Sequence, residues 1–389
     1  MALPLSYNIR NVKVRWQVTL LAISGISLVV AVFAILLSMS AGFQAALRST
    51  GRADNALIVQ RGSASELTSG VGIDVRNMII ADDRVARRPD GSPLAAWDWV
   101  VVMSLPKIDQ GGPTNVTLRA VIPAAFDVRG GITLVEGRNF QPGLDEVIVG
   151  RKIAGRIEGL AIGKPLKYQN KLFNVVGIFE SSGGAFESEI WGDYDVMGAL
   201  FQRGAGSNSL VVRMKDASQI GALDKWIRSQ PNMQLQAVAE TKYYEDQAGP
   251  LATILKGLAG FVAFVMGVGA VFGAMNTMYA VVASRTREIG TLRALGFSRV
   301  AILFSFVMES VFLALLAGMI GLLLALPMNG FSTGTAQTQS FSEVAFSFQL
   351  TPRILMIGMI FAGLMGLVGG LLPALRAARM PITRALRDA

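Results

Sequence analysis

The residues with the strongest chemical character lie in one basic segment, residues 284–299, which separates two long apolar runs. The segment carries four arginines and one acid, Glu288. Guanidinium groups form their strongest contacts with carboxylates, and Glu288 could in turn hold a partner's arginine. The alternative is a local ion pair of Glu288 with Arg285 or Arg293, which contributes little when it is exposed. This pattern indicates ionic recognition rather than catalysis.

Other reactive groups are scarce. The sequence has no Cys and no His, which excludes disulfides, thiolate chemistry, histidine triads and imidazole metal sites. It has no Gly-x-x-x-x-Gly-Lys-[Ser/Thr] phosphate loop, and the nearest approach, residues 150–155, is followed by Arg156 and Ile157. Acids such as Asp82 and Asp83 fit solvated loops. We therefore expect no catalytic, cofactor-binding or metal-binding residues in this chain.

The basic segment is positioned by apolar runs that are long enough to cross a bilayer, which takes roughly 20 helical residues. We expect a helical membrane protein with four transmembrane helices in a one-plus-three arrangement. A large α+β domain is expected between helices 1 and 2. The expected boundaries are a cytoplasmic N-terminus at 1–17, transmembrane helices at 18–43, 251–283, 300–328 and 351–375, a core domain at 44–250, the basic loop at 284–299, a short outer loop at 329–350 and a cytoplasmic tail at 376–389.

The excess of basic residues that gives the net charge of +9 lies outside residues 44–250. Residues 44–250 hold 23 Lys+Arg and 23 Asp+Glu, which leaves 13 basic and four acidic residues elsewhere. Eleven of those 13 form three groups: Arg10, Lys13 and Arg15; Arg285, Arg287, Arg293 and Arg299; and Arg376, Arg379, Arg384 and Arg387. Basic residues collect on the cytoplasmic side of membrane proteins. We therefore expect both termini inside, the large domain outside, and no nucleic-acid partner.

The region between the first two spans has the pattern of a mixed α+β domain. Short β-rich runs are separated by Gly, Pro, Asn and Asp, as strands and turns are. Predicted strands include residues 55–60, 99–103, 115–119, 146–149, 172–178 and 209–213, and predicted helices include 150–158 and 217–229. A domain of roughly 200 residues is large enough to hold its own core.

Two polar residues, Glu309 and Ser310, interrupt the third apolar run. An intramembrane carboxylate is costly and needs a partner or a function. We expect Glu309 to be a structural group, protonated or hydrogen-bonded near the inner interface. Small residues in the second run, and the Gly366-x-x-x-Gly370 pattern in the fourth, predict close packing of helices.

The loop predicts a short surface helix over residues 287–295, because such a segment is too short and too polar to span the bilayer. Gly290 and Gly296 are expected to bound it, since glycine accepts the left-handed conformation at helix ends. A snorkelling basic loop is the simpler interpretation. A coupling helix, on which a cytoplasmic partner pushes, is the more specific one.

The motifs of this segment resemble a known family. Arg-Glu-Ile-Gly at residues 287–290, Arg-Ala-Leu-Gly at 293–296 and Glu-Ser at 309–310 resemble the signature of FtsX/MacB-type ABC transporter permeases. The tail, from Pro373 through Arg376 to Pro381 and then Ala-Leu at 385–386, is similar to the family's C-terminal pattern. Residues 136–140, 146–150 and 173–178 resemble the periplasmic core domain of MacB-like permeases.

The resemblance implies a permease subunit of a type VII, or mechanotransmission, ABC transporter. Separate cytoplasmic ATPase subunits would bind ATP and Mg, and their hydrolysis would drive periplasmic movements that export or extract a substrate. MacB itself has a fused ATPase, so LolC-like or DevC-like permeases are the nearer match. The residues implied in ATPase coupling are Arg285, Arg287, Glu288, Ile289, Gly290, Leu292, Arg293, Ala294, Leu295 and Gly296.

The family also implies partners and a location. The partners expected are the ATPase, a second permease copy or paralogue, membrane lipids and a periplasmic adaptor protein. The location expected is the bacterial cytoplasmic membrane, with the large domain in the periplasm. Two alternatives stay open at this point. One is an FtsX-like signalling scaffold that regulates a periplasmic peptidoglycan hydrolase; the other is a membrane-anchored periplasmic enzyme.

Overall fold

The computed structural model describes residues 16–108, 112–337 and 339–381. It divides into two compact units. Within the described residues, the helical unit comprises 16–41, 253–331 and 348–381, and the α/β unit comprises the described parts of Gly42–Ala252 and Ser332–Ser347. The predicted basic groups at Arg10, Lys13 and Arg15 and at Arg384 and Arg387, and the Ala-Leu pair at 385–386, lie outside the described residues.

The helices and strands of the described residues are numbered in chain order. The α-helices are α1 (Trp16–Arg48), α2 (Ile73–Ile80), α3 (Ala124–Arg129), α4 (Arg151–Ala154), α5 (Tyr194–Leu200), α6 (Ile220–Ser229), α7 (Glu240–Ser284), α8 (Thr286–Ala294), α9 (Arg299–Ala325) and α10 (Pro352–Arg379). The strands are β1 (Asn55–Gln60), β2 (Ala95–Pro106), β3 (Pro113–Val121), β4 (Thr133–Gly137), β5 (Glu146–Gly150), β6 (Pro165–Tyr168), β7 (Lys171–Glu180), β8 (Glu189–Asp193), β9 (Ser209–Arg213), β10 (Leu235–Ala239), β11 (Ser332–Ala336) and β12 (Glu343–Ser347).

Four helices in the described ranges are long and apolar enough to cross a membrane. They cover Ala22–Arg48, Glu240–Ser284, Arg299–Met328 and Pro352–Arg379. The first precedes the α/β unit's main segment and the other three follow it, so the predicted fold class is confirmed. The helices also continue past the apolar runs. Helix α7 begins at Glu240 and α10 ends at Arg379, because polar residues at helix ends can keep the backbone helical beyond the hydrocarbon core.

Small residues bring the helices of the helical unit close together. A Cβ at Gly366 would lie 2.5 Å from the Ala314 Cβ, and a Cβ at Gly318 would lie 2.6 Å from the Ala362 Cβ. A Cβ at Gly370 would lie 2.4 Å from the Ser310 Cβ. Real Cβ atoms do not approach so closely, so α9 and α10 need glycine at these contacts. The predicted packing face at Gly366 and Gly370 is confirmed.

The α/β unit is built on one mixed sheet. Its strand order is β10-β1-β9-β2-β3-β8-β5-β7-β4, with β6 paired to β7. The β3–β8 and β5–β7 pairs are parallel, and the other pairs are antiparallel. Apolar residues of the central strands and of α5 form one core, and those of β1, β9, β10 and α6 form a second. All six predicted strands are present.

Two local predictions need correction. The helix expected at residues 150–158 is only the single turn α4, because the chain turns at Gly155. The helix expected at 217–229 begins as a 3-10 turn, Ala217–Gln219, before α6. The hairpin β11–β12, within residues 329–350, had no counterpart in the prediction, because β11 is made of Ser, Thr, Gly and Ala and shows no apolar alternation.

Candidate coupling site

Helix α8 is the centre of the candidate site and is closed by a glycine cap. Gly296 has φ +95°, which places it in the left-handed region. Its N–H donates to the Arg293 carbonyl at 3.2 Å, and the Phe297 N–H donates to the Leu292 carbonyl at 3.1 Å. This pair of bonds is a Schellman motif, which satisfies carbonyls that a helix end leaves open. Ser298 then caps α9 by accepting a hydrogen bond from the Ala301 N–H.

Gly290 does not bound the helix, contrary to the prediction. It lies in the middle of α8 and is buried. Its neighbour Ile289 is also buried and joins a cluster with Val281 and Val282 from the end of α7. The cluster also contains residues of α9 and α10. A glycine beside Ile289 presents no side chain at this packed face. The inner face of α8 is therefore fixed to the last turn of α7.

The opposite face of α8 is exposed. Arg287, Glu288 and Ala294 lie at the surface, and Leu295, which follows the helix, keeps 73% of its area exposed. Gly296 is exposed next to it. An exposed leucine among charged residues resembles the mixed composition of a binding patch, in which an apolar anchor is surrounded by polar groups. The site residues of the sequence prediction therefore divide between a packed face and an exposed one.

Arg285 immediately precedes α8 and points inward. Its Nη1 lies 2.8 Å from Glu309 Oε2, and its Nη2 lies 3.1 Å from Glu309 Oε1. The two side chains are only 10% and 5% exposed. The guanidinium also lies over the Phe306 ring, 5.9 Å from its centroid. This bidentate ion pair ties the start of α8 to α9, so Arg285 serves the packing of the site rather than its exposed face.

Ser310, the second polar residue of α9, lies in the glycine face. Its hydroxyl donates to the backbone carbonyl of Gly366 on α10. The pair Glu309–Ser310 therefore makes two different contacts, one to the basic loop and one to the next span. Because neither contact needs a proton to leave, the geometry fits the structural role expected for Glu309.

The remaining predicted residues lie around the same end of the helical unit. Leu292 and Arg293 are half-buried, and the Arg293 Nε is buried without a hydrogen-bond partner among the described residues. Pro373 is buried inside α10, and Arg376 lies over the Tyr279 ring of α7, 5.6 Å from its centroid. Pro381 follows the end of α10 and is exposed. The C-terminal motif thus contacts α7 as well.

Sequence reasoning missed a buried charge cluster in the α/β unit. The Arg119 guanidinium of β3 contacts Glu66 at 3.0 Å, Glu189 at 2.7 Å and Asp98 at 3.0 Å. Arg129 contacts Asp98 and also Glu240, the first residue of α7. The signal that was available is a charged residue in the interior of an apolar strand, such as Asp98 or Arg119.

In this cluster, the opposite charge of each neighbour offsets the cost of burying a charged group. Burial alone would raise the pKa of Glu66, but the Arg119 guanidinium lowers it to about 2. Burial would lower the pKa of Arg119, but the carboxylates of Glu189 and Glu66 hold it well above its ordinary value. Such a network is strongly destabilised when one member is lost, because the remaining charge has no partner. The start of α7 is therefore firmly held in this unit.

Comparison with known proteins identifies the chain. Residues 19–230, more than half of its length, match the family model of the MacB-like periplasmic core domain. Residues 260–382 match that of the FtsX-like permease C-terminal region. The chain belongs to the MacB/FtsX family of ABC transporter permeases. The resemblance drawn from the loop and tail motifs is thereby confirmed.

Individual relatives agree with the family. The uncharacterized ABC transporter permease MJ1507 of Methanocaldococcus jannaschii is 29% identical over 244 residues, 59% of this chain and 58% of that protein. The macrolide export ATP-binding/permease protein MacB of Brucella abortus is 29% identical over 232 residues, 57% of this chain and 34% of that protein. The chain therefore spans 58% or less of these two relatives. The solved periplasmic region of MacB from Actinobacillus actinomycetemcomitans aligns with a TM-score of 0.37 at 13% identity, over 52% of this chain and 96% of that one.

Proposed function

We propose that this permease is a mechanical transmitter of the type VII class. Hydrolysis of ATP by separate cytoplasmic ATPase subunits would move α8, and α7 would pass that movement to the α/β unit in the periplasm. There it would act on a substrate for export or extraction, of the efflux or the lipoprotein and lipid type. ATP and Mg would be bound by the partner, and this chain would do no chemistry of its own.

The observation that carries the proposal is the continuity of α7. The helix has 45 residues, which corresponds to about 67 Å at 1.5 Å per residue, and it continues through Pro250. Its first residue, Glu240, is ion-paired inside the buried cluster of the α/β unit. Near its other end, Val281 and Val282 pack against Ile289 of α8. One helix is thus anchored at both ends, as a lever must be if two sites are to influence the same element.

The exposed face of α8 suits an ATPase subunit. Leu295 would enter an apolar pocket of the partner, and Arg287 and Glu288 would form ion pairs around it. A central apolar anchor within a charged rim is the usual source of binding energy at such interfaces. In this proposal the loop faces the cytoplasm, as the concentration of arginines in it favours.

A second copy or a paralogue of the permease would complete the complex. Helices α1 and α7 line a groove of about 290 Å³ made largely of small residues, including Gly25, Gly269 and Gly273. No atom lies within 4 Å of the place where a Cβ would stand at these three glycines. Small residues allow helices to approach closely in lipid, which supports dimerisation at this groove. A periplasmic adaptor would bind the α/β unit in an efflux complex.

The test uses the complex of the permease with its ATPase, copurified from the native membrane in mild detergent and reconstituted in lipid. Leu295→Asp should weaken ATPase binding by about tenfold or more, because it places a charge in the centre of the interface. The matched control is Leu172→Asp, which changes a leucine of similar exposure, 57%, in the α/β unit. Equal ATPase binding by both variants would refute the proposed face. Recovery of no ATPase with the native permease would refute the proposed function.

The regulatory alternative, an FtsX-like scaffold acting on a peptidoglycan hydrolase, is not favoured by the comparisons. The α/β unit matches a MacB-like core domain, and the relatives described above are transporter permeases.

A further inference from the structure

The α/β unit has an open cleft that the coupling mechanism does not use. Its volume is about 350 Å³, at the lower end of the range for small-molecule sites. Its apolar wall includes Trp97, Trp99 and Tyr194. Tyr194 is stacked on Trp99, with ring centroids 6.4 Å apart and planes 10° apart, and stands edge-on to Trp97 at 6.5 Å. These rings offer flat surfaces to an apolar body.

The cleft also has a positive charge that forms no ion pair with any described residue. Arg76 lines it and is only 7% exposed. Its guanidinium lies over the Trp97 ring, 4.1 Å from the centroid. Among the described residues, no ion pair joins Arg76 to a carboxylate, and its Nε and Nη1 have no hydrogen-bond partner. A buried guanidinium with two unpaired nitrogens is unfavourable, and an anion in the cleft would relieve this.

Two more groups of the cleft, the Trp99 indole N–H and Arg203, are also suited to contact an anion. The Trp99 Nε1 is buried without a hydrogen-bond partner in the described part of the chain. Arg203 lies at the rim, exposed, 5.3 Å from the centroid of the Trp99 ring. The Tyr194 hydroxyl is engaged by donating to the Gly206 carbonyl. Asp195 supplies one acidic group to the lining, so two arginines outnumber it.

We propose that this cleft binds a small organic carboxylate with a planar apolar body. The carboxylate would pair with the Arg76 guanidinium, since planar carboxylates match the guanidinium donors. The apolar body would lie against the indole and phenol rings. Arg203 would attract the anion from solution and contact it at the rim. The cleft does not include the coupling helix, so carboxylate binding can be tested separately from the proposed function.

The experiment uses the full chain in lipid nanodiscs and two matched probes, phenylacetate and its neutral analogue phenylacetamide. Binding is measured by titration with saturation-transfer NMR, which detects affinities in the millimolar range. Phenylacetate should bind at least about tenfold more tightly, because the ionised acceptor forms the stronger hydrogen bond. Arg76→Gln should abolish that preference. Arg203→Gln, at an exposed position that leaves the fold intact, should reduce it about threefold.

The control is Arg228→Gln, which removes an exposed arginine paired with Asp224 on α6, outside the cleft. It should leave the preference unchanged. Thermal unfolding of each variant shows whether it is folded, and if Arg76→Gln is not, Arg203→Gln decides. Three results would overturn the proposal: no saturable binding of phenylacetate, equal affinity for the two probes, or a preference that survives in both cleft variants.

Discussion

Glu309→Gln is expected to destabilise the helical unit by roughly 3 kcal/mol, because it removes the carboxylate that pairs with the buried Arg285 guanidinium. The two hydrogen bonds of the native pair, at 2.8 and 3.1 Å, are both charge-assisted. Breaking a buried pair by removing one partner costs about 3–5 kcal/mol. The lower value applies here, since Arg285 keeps 10% of its side chain exposed at the end of the span.

A double-mutant cycle measures the interaction energy between Arg285 and Glu309 separately from the effect of each single substitution. Arg285→Met should cost a similar roughly 3 kcal/mol, whereas Arg285→Met combined with Glu309→Leu should lie within about 1 kcal/mol of the native protein, since no charge is left unpaired. The assay is reversible unfolding in mixed micelles. Ser305→Ala, which changes a residue beside the same ion pair, is the control. Single variants that each cost less than about 1 kcal/mol, or a double variant that equals their sum, would refute the reasoning.

Three further predictions concern the coupling site and the buried cluster. Gly296→Ala should destabilise the α8 cap by about 1 kcal/mol because of its φ of +95°. Gly257→Ala inside α7, where an added Cβ meets no atom within 4 Å, should be neutral or stabilising. Unfolding in mixed micelles measures both, and equal effects would contradict the cap assignment. Glu288→Ala and Arg293→Ala should lower the ATPase rate of the assembled complex while membrane insertion is unchanged, and if neither alters the rate, α8 is not the coupling helix. Glu66 stabilises the α/β unit fully above its ordinary pKa of 4.5, and this contribution, roughly 3 kcal/mol, should be lost as pH falls from about 4.5 to about 2. In Arg119→Met, burial would raise the pKa of Glu66 instead, so the stability of this variant should rise as pH falls. Thermal unfolding followed against pH measures both, and an unchanged dependence in the variant would show that another group titrates.

The parts of the fold that the sequence predicts well depend on local signals. The membrane helices follow from the length of apolar runs, and the strands at residues 55–60 and 209–213 follow from β-rich runs between turns. The β11–β12 hairpin could not be predicted in this way. Its first strand is polar, and its stability depends on contacts such as that of Glu343 with Lys107 and Arg156, which are far away in sequence.

The candidate site also combines features that local sequence predicts with contacts that it does not predict. The arginines, the acid and the glycine cap of α8 are recognisable from their order, whereas the partner of Glu309 is not. Arg285 lies 24 residues before Glu309, and the pairing exists because α8 folds back against α9. Arg119 and Glu66 are 53 residues apart and meet across the sheet. Sequence periodicity reports which face of an element is apolar, but the choice of a buried ionic partner is decided by tertiary packing.

Movement at α8 should reach the α/β unit through α7, and hydrogen exchange measures this transmission. The permease–ATPase complex would be compared in lipid with and without ATP under conditions that trap the ATP-bound state. Transmission through α7 predicts changed amide exchange both in residues 286–295 and in residues 240–252, the first turns of α7, and Leu295→Asp should abolish the second change. Unchanged exchange in residues 240–252, while the ATPase binds and turns over normally, would contradict it.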